Sequence, residues 1–515
     1  MKNSDRLLVI SLCFFVHLLI PDIISTNSRG LASDFQPNIV VINIDDLGYG
    51  EIGPYGSSNK TPHLDRMARE GRKLTSHYAA PVCSPSRASL MTGCYPKRVL
   101  PISHVLFPDA RIGLSPEEQT IAEVLKSAGY ATACIGKWHL GDQSEFLPNQ
   151  QGFDYFYGIP YSNDMGPAAD GAKSSFSKPL PVPNTATLKS AQSQKDEAGA
   201  RGHAQPPIPI MENGKVIGRL RNEEQRLLTR EYTRRAIQFI DEHQNGPFFL
   251  YLPHTAVHFP FYPSTDFHGT SPNGLRGDWI QEIDASVGEV MNAIRQKDLA
   301  DKTLVIFTSD NGGPLHQGGD NSPLRGSKSQ TFEGGMRVCT MAWWPGKIPA
   351  GTSTDEMTAM MDLLPTFASL AGAEKSIQHQ IDGVNIWSTL SGSDITPSAR
   401  DNYFYFRGLT LEAVRLGPWK LHLALGDGPN GRREPLRPQL FHLINDKSEK
   451  NDVAAEHPDV VERLLAFAET KKDDLGWTGI GPGCRKLGRV ENSRPLIDFD
   501  GTVRSDAVGK IIQFP

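Results

Sequence analysis

The chain has 515 residues, 38% of them hydrophobic, and a formal net charge of −5, enough length for one large core with a smaller one beside it. With no basic balance and no long run of one sign, it offers no field for nucleic acid. The substrate class left open is a small or glycan-like molecule.

Lys2 and Arg6 precede an apolar run from Leu7 to Ile20, which Pro21 breaks and small polar residues follow. The pattern predicts a secretory signal peptide over residues 1–28, with cleavage points near Ser25 to Ala32 and an exported protein of the periplasmic, extracellular or lysosomal type. The run is short for a membrane span; an uncleaved anchor is the other reading, and no later segment is apolar enough to cross a bilayer. Cysteines stand at 13, 83, 94, 134, 339 and 484. The first falls in the leader, so an odd number remains, unexpected for an exported chain that pairs its thiols.

Ile39 to Ile44 (IVVINI) is an apolar, β-branched run that predicts a strand buried on both faces. Helices are expected over Pro62–Glu70 and Pro116–Ser127, then a strand over Ala131–Ile135. Residues 166–218 are rich in Gly, Ala, Ser, Pro and Lys without an apolar period, and read as a long inserted loop. A helix over Glu223–His243, a strand over Phe248–Leu252, a helix over Trp279–Ile294 and a strand over Thr303–Thr308 follow. In the second of these helices Ile283, Val287, Met291 and Ile294 share a face. Strands alternating with helices imply a mainly parallel sheet covered on both sides, with ligands at the carboxyl ends of the strands. From about Arg400 the stretches NYFYFRG, EAVRLGPWKLHLAL and QLFHLIND, with a helix near Val460–Lys471, predict a small antiparallel sheet with a helix. The expected division is a catalytic domain over 35–395 and a smaller C-terminal α+β domain over 396–515.

Two acidic pairs directly follow buried strands: Asp45-Asp46 and Asp310-Asn311. Singly, each reads as turn chemistry. As a pair at matching strand ends, three carboxylates and an amide oxygen point to a shared hard cation, Ca²⁺ or Mg²⁺ rather than zinc. GYATACIGKWHLG (129–141) is a strand running into a turn that presents Lys137 and His139; HTAVHFPFYP offers His254 and His258 after another strand, and LRGSKSQTFEGG offers Lys328. Cys83 lacks a Cys-x-x-Cys partner, which disfavours zinc, and a thiolate suits a hard cation poorly. A disulfide is the default for an exported cysteine.

Cys83-Ser84-Pro85-Ser86-Arg87, continuing to Leu90-Met91-Thr92-Gly93, resembles the signature of the type I sulfatases, in which the cysteine is oxidised to Cα-formylglycine. Residues 129–141 resemble the second signature of that family, and GIPYSNDMGP (158–167) is similar to its arylsulfatase A and N-acetylgalactosamine-6-sulfatase branch. Matching stretches run from about Ile39 to Leu370, with a weaker echo beyond Arg400. Met91 is a small departure, where leucine is common.

The resemblance implies an alkaline-phosphatase-like α/β fold, hydrolysis of sulfate monoesters of a carbohydrate or an aryl alcohol, a maturation enzyme as partner, and one Ca²⁺ per chain held by Asp45, Asp46, Asp310, Asn311 and the residue at 83. It also implies that the hydrated aldehyde attacks sulfur through one hydroxyl and expels sulfate by C–O cleavage after the other loses a proton to His139. By the same resemblance Arg87 holds the diol, and Lys137, His258 and Lys328 surround the sulfate, His258 or Lys328 protonating the leaving group. Ser162 is implied to contact the sulfate or to orient His139; His254 is left as a structural or rim residue. The competing readings are a phosphatase or phosphonate hydrolase of the same superfamily, which Cys83 within Cys-x-Pro-x-Arg disfavours, and a non-catalytic sulfated-glycan binding protein, which predicts damage in the catalytic set.

Overall fold

The computed structural model describes residues 36–181, 195–202, 205–392, 399–424 and 437–511. The expected leader, Cys13, part of the 166–218 insert and the expected boundary at 395/396 lie outside the described residues. The strands of the first part of the chain are β1 (Asn38–Ile44), β2 (Arg72–Tyr78), β3 (Ile112–Gly113), β4 (Ala131–Lys137), β5 (Tyr155–Ile159), β6 (Pro209–Glu212), β7 (Lys215–Arg219), β8 (Phe248–Pro253), β9 (Thr303–Ser309), β10 (Arg337–Trp343), β11 (Thr352–Thr354) and β12 (Thr358–Ala359). Among the described residues eleven of these join one mixed sheet in the order β11-β2-β10-β9-β1-β8-β4-β5-β6-β7, with β12 added beside β2. The central strands β9, β1, β8, β4 and β5 run parallel.

The apolar run of β1 is explained by two covered faces. Ile39 and Val41 enter one core with the helices Cys83–Thr92, Ile121–Ser127 and Leu363–Leu370. Val40, Ile42 and Ile44 enter the other with the helices Pro62–Glu70, Leu228–Glu242 and Gly274–Gln296. All seven residues of β1 are buried, so alternation has no exposed face to mark. Ile283, Val287, Met291 and Ile294 are buried together, as their spacing requires.

Three expectations are corrected. The helix expected from Pro116 begins at Ile121, because Thr120 caps it: Thr120 Oγ1 accepts from Glu123 N at 3.2 Å and Thr120 N donates to Glu123 Oε2 at 2.8 Å. The helix expected from Glu223 begins at Leu228, after a separate turn Asn222–Gln225. The 166–218 insert is not all loop: β6 and β7 form a hairpin that extends the large sheet. Its turn is Asn213-Gly214, with φ of 47° and 76°, the left-handed pair that a two-residue hairpin requires.

β13 (Asn402–Arg407), β14 (Thr410–Leu416), β15 (Trp419–His422) and β16 (Gln439–His442) form an antiparallel sheet covered by the helix Pro458–Glu469. Phe404, Val414, Leu421 and Leu464 share a core with Tyr78, Tyr95 and Met336 of the larger part. β17 (Gly488–Arg489) pairs with β3, and Leu496, Ile497 and Ala507 join the first core. The segment after the C-terminal helix therefore packs back onto the core of the larger part. No helix among the described residues is long and apolar enough to cross a membrane.

Candidate active site

The carboxyl ends of β1, β9, β4 and β8 meet at one edge of the sheet. Asp46 follows β1 in left-handed backbone (φ 62°), which Asp tolerates better than most side chains. Its N–H donates to Asp310 Oδ1 at 3.1 Å, and Leu47 N donates to Ser309 Oγ at 3.0 Å, locking the ends of β1 and β9 together. On β4, a Cβ at Gly136 (φ 137°) would stand 1.9 Å from the Pro253 carbonyl oxygen, and one at Gly158 (φ 153°) 1.8 Å from that of Gly136. Only glycine lets β4, β5 and β8 approach this closely beneath Lys137 and His139. Cys83 is the first residue of the helix Cys83–Thr92, so it sits at an end that favours negative charge.

These elements bring the expected residues together. Cys83 Sγ lies 3.4 Å from Asp45 Oδ1 and 3.5 Å from Lys328 Nζ. Lys137 Nζ pairs with Asp45, and Lys328 Nζ with Asp46 Oδ1 at 2.6 Å. The Arg87 guanidinium grips Asp310 Oδ2 at 3.0 and 2.8 Å, lies 3.4 Å from Asp45 and donates to the Lys137 carbonyl. His258 Nε2 stands 3.6 Å from Asp46 Oδ2. The side chains of His258 and Lys328 are 10% and 16% exposed, against at most 1% for Arg87, Asp45, Asp46, Asp310 and Lys137. The cluster therefore meets solvent on the His258–Lys328 side.

Ser162 meets a different imidazole from the one expected, and His254 takes the structural of its two readings. Ser162 Oγ is 3.4 Å from His258 Nδ1, so His258, not His139, is the imidazole it meets. His254 is not at a rim: it is fully buried, 3.3 Å from Ser286 Oγ, and burial pushes its imidazole down to about 3. Cys83, Cys94, Cys134, Cys339 and Cys484 are all free thiols, which resolves the odd count without a disulfide. Arg276 and Glu51 were not anticipated. Buried Arg276 donates to the carbonyls of Asp46 at 2.6 Å and Val257 at 3.0 Å while gripping Glu51 twice at 2.6 Å. It thereby ties the Asp46 turn to the His258 loop; a lone Arg in the first turn of an amphipathic helix carries no motif that would reveal this.

The electrostatics follow from burial against charge. Burial raises the Asp45 carboxyl, but Lys137, His258, Arg87 and Lys328 more than reverse this and hold it far below the usual range. Asp46 is lowered in the same way, chiefly by Lys328 and His258, whereas burial and the charge of Asp45 leave Asp310 raised. Burial, Asp310 and Asp45 push the Cys83 thiol well up, so as a thiol it is protonated and a weak nucleophile. His139 is fully buried and, through burial, Lys137 and Arg87, held well below the usual imidazole value. Its Nε2 faces the Leu106 carbonyl at 2.9 Å and so carries the hydrogen, which leaves Nδ1 a buried acceptor without a partner.

The donor set fits a hard divalent cation. Asp46 Oδ2 and Asn311 Oδ1 are buried without hydrogen-bond partners, although Asn311 Nδ2 donates to Asp46 Oδ1 at 2.7 Å. One ligand atom each from Asp45, Asp46, Cys83 and His258 lies within 4.8 Å of the others. Asp45, Asp46 and Asp310 balance Arg87, Lys137 and Lys328, so a divalent ion would leave the cluster positive, as an anionic substrate requires.

Comparison with known proteins matches residues 37–373 to the family model described as Sulfatase, and residues 398–479 to the one described as the C-terminal region of aryl-sulfatase. The chain is 33% identical to N-acetylgalactosamine-6-sulfatase of Canis lupus familiaris, covering 91% of this chain and 94% of that one. It is 39% identical to arylsulfatase A of Homo sapiens over 77% and 76% of the two chains. Among solved structures, Ps i-CgsB in complex with k-i-k-neocarrahexaose superposes with a TM-score of 0.68 at 30% identity, covering 84% of this chain and 92% of the other.

Proposed function

From the premise that this chain belongs to the sulfatase family and is a sulfatase, we propose that it is an exported enzyme that hydrolyses sulfate monoesters of a sulfated carbohydrate, using Cys83 matured to formylglycine. The observation that carries the reading is the position of Cys83: at a helix N-terminus, 3.4 Å from Asp45 and 3.5 Å from Lys328, beside two orphaned buried oxygens. Hydrated formylglycine supplies a nucleophilic hydroxyl and a second hydroxyl through which sulfate can later be expelled. Asp45, Asp46, Asp310, Asn311 and the residue at 83 would hold Ca²⁺, which supplies Lewis acidity towards a sulfate oxygen and the nucleophile.

The remaining chemistry belongs to side chains already in place. Lys328 and Lys137 present ammonium groups to the sulfate oxygens in a site oriented before reaction begins. His258, held by Ser162 and the Phe259 carbonyl, presents Nε2 at the accessible side and donates a proton to the departing alcohol. His139 is the proton acceptor for the second hydroxyl, since its free nitrogen is Nδ1 and it is neutral. Arg87 acts on the carboxylates of Asp310 and Asp45 and fixes their orientation.

The name of the N-acetylgalactosamine-6-sulfatase relative supports a 6-sulfated N-acetylgalactosamine residue as the first natural substrate to try. The test is sulfate release from 4-nitrophenyl sulfate and from 6-sulfated N-acetylgalactosamine, with 4-nitrophenyl phosphate as competitor. Sulfate turnover exceeding phosphate turnover is expected; the reverse preference, or binding of the sulfated sugar without turnover, contradicts the reading.

A further inference from the structure

The segment between β9 and β10 delivers Lys328, and the C-terminal sheet together with the segment after β16 fastens it on both sides of that residue. Upstream, the exposed Arg325 donates to the Glu449 carbonyl at 2.9 Å, its guanidinium 4.0 Å from the Phe332 ring. Downstream, Thr331 Oγ1 donates to Glu412 Oε2 on β14 at 2.8 Å, and Lys420 on β15 donates to the Thr331 carbonyl at 2.8 Å. Lys420, wholly buried, also meets Glu333 Oε1 and Glu449 Oε1, each at 2.9 Å. Glu449 in turn accepts from Glu333 N at 2.7 Å and lies 2.7 Å from His422 Nε2. It reaches these partners from left-handed backbone, φ 51°.

Lys328 lies between these tethers, its N–H to Gly313 O at 3.3 Å and its Nζ to Asp46 and Cys83. A lysine stem is flexible, so the placement of its ammonium depends on where its backbone is held. We propose that Lys420 on β15 and Glu449 in the segment after β16 are positioning residues for Lys328, setting the sulfate-binding ammonium from a C-terminal region that does not itself touch the reacting atoms. The inference rests on the reading that Lys328 binds sulfate.

The test combines hydrogen exchange of residues 324–336 with kcat/KM on 4-nitrophenyl sulfate. Lys420→Met should speed exchange across 326–333 and lower kcat/KM by about 10- to 100-fold. In a Lys328→Ala background the same substitution should change kcat/KM by less than about twofold, because its effect passes through Lys328. Arg325→Met removes a surface tether without burying an unpaired charge and should show the same pattern more weakly, which keeps the test available if Lys420→Met does not fold. Lys420→Arg should restore part of the exchange protection and of the rate. Unchanged exchange, or an equal loss of rate with and without Lys328, would overturn the proposal. If Lys328→Ala alone leaves kcat/KM intact, the sulfate-binding reading of Lys328 fails instead, and the exchange data still decide whether the sheet holds the segment.

Discussion

Two buried ionic clusters lie on either side of the Lys328 segment, and they differ in how completely they are satisfied. Around Glu333, Lys420 and Glu449, no buried polar side-chain atom of these residues, or of Tyr78, Tyr405, His422, Arg337 and Arg415 around them, lacks a hydrogen-bond partner. Around Asp45, Asp46 and Asp310 the balance of charge is similar, yet Asp46 Oδ2, Asn311 Oδ1 and His139 Nδ1 are orphaned. A buried acceptor without a partner costs stability unless a ligand supplies one. The complete cluster joins the C-terminal sheet to the larger part, and the incomplete one leaves free the acceptors that the proposed cation and proton transfer would use.

The sharpest way to break this distinction is Asp310→Asn. It should lower kcat on 4-nitrophenyl sulfate by at least about 10³-fold in the folded fraction, in addition to the stability lost by leaving buried Arg87 short of a partner; activity retained in the folded fraction would reverse the assignment. Glu333→Gln should act chiefly on stability, removing one partner of a buried pair at a cost of about 3–5 kcal/mol in denaturant unfolding, with a much smaller effect on kcat in the folded fraction. Burial raises the Glu333 carboxyl, but Lys420, Arg337 and Arg415 pull it down to about 2. Its ionised contribution is thus complete above the ordinary glutamate value and lost as pH falls towards 2, so the gap between wild type and Glu333→Gln should close over that interval. A gap constant from neutral to acid pH would remove Glu333 from the ionic account.

Calcium separates the clusters again. At 100 times its dissociation constant Ca²⁺ should stabilise the wild type by about 2.7 kcal/mol, whereas Asp46→Asn should lose that shift and Glu333→Gln keep it. Calorimetry with Ca²⁺ and then chelator reads both. The smallest effect is expected for Arg276→Lys, which keeps the charge but not the fork spanning Asp46, Val257 and Glu51. kcat/KM should fall by about tenfold with weaker calcium binding; unchanged calcium affinity would limit Arg276 to a packing role.

The residues of the incomplete cluster were legible in part because Asp45-Asp46 and Asp310-Asn311 directly follow strands, Lys137 ends one, His258 comes soon after one and Cys83 opens a helix, and because strand ends of a parallel sheet converge. Arg87 and Lys328 rested on the family resemblance. Asp45, Asp310, Lys137 and His258 could be named from such local context. Arg276 and Glu51 could not, since their partners are backbone carbonyls that only the fold brings near. The second cluster was illegible for a related reason: Glu333, Lys420 and Glu449 come from three separate stretches, the first two beside apolar residues and the third in a charged run that reads as surface. The β6–β7 hairpin, by contrast, had its signal in plain view. MENGKV places Asn-Gly between apolar residues, but the Gly- and Ser-rich composition around it masked the two-residue alternation.

The most direct test of the central assignment is the peptide mass across residue 83 in protein purified as fully active enzyme. The account predicts that the cysteine side chain is replaced by an aldehyde or its hydrate in the active fraction. An unmodified Cys83 thiol in enzyme that turns over sulfate esters at full rate would contradict it.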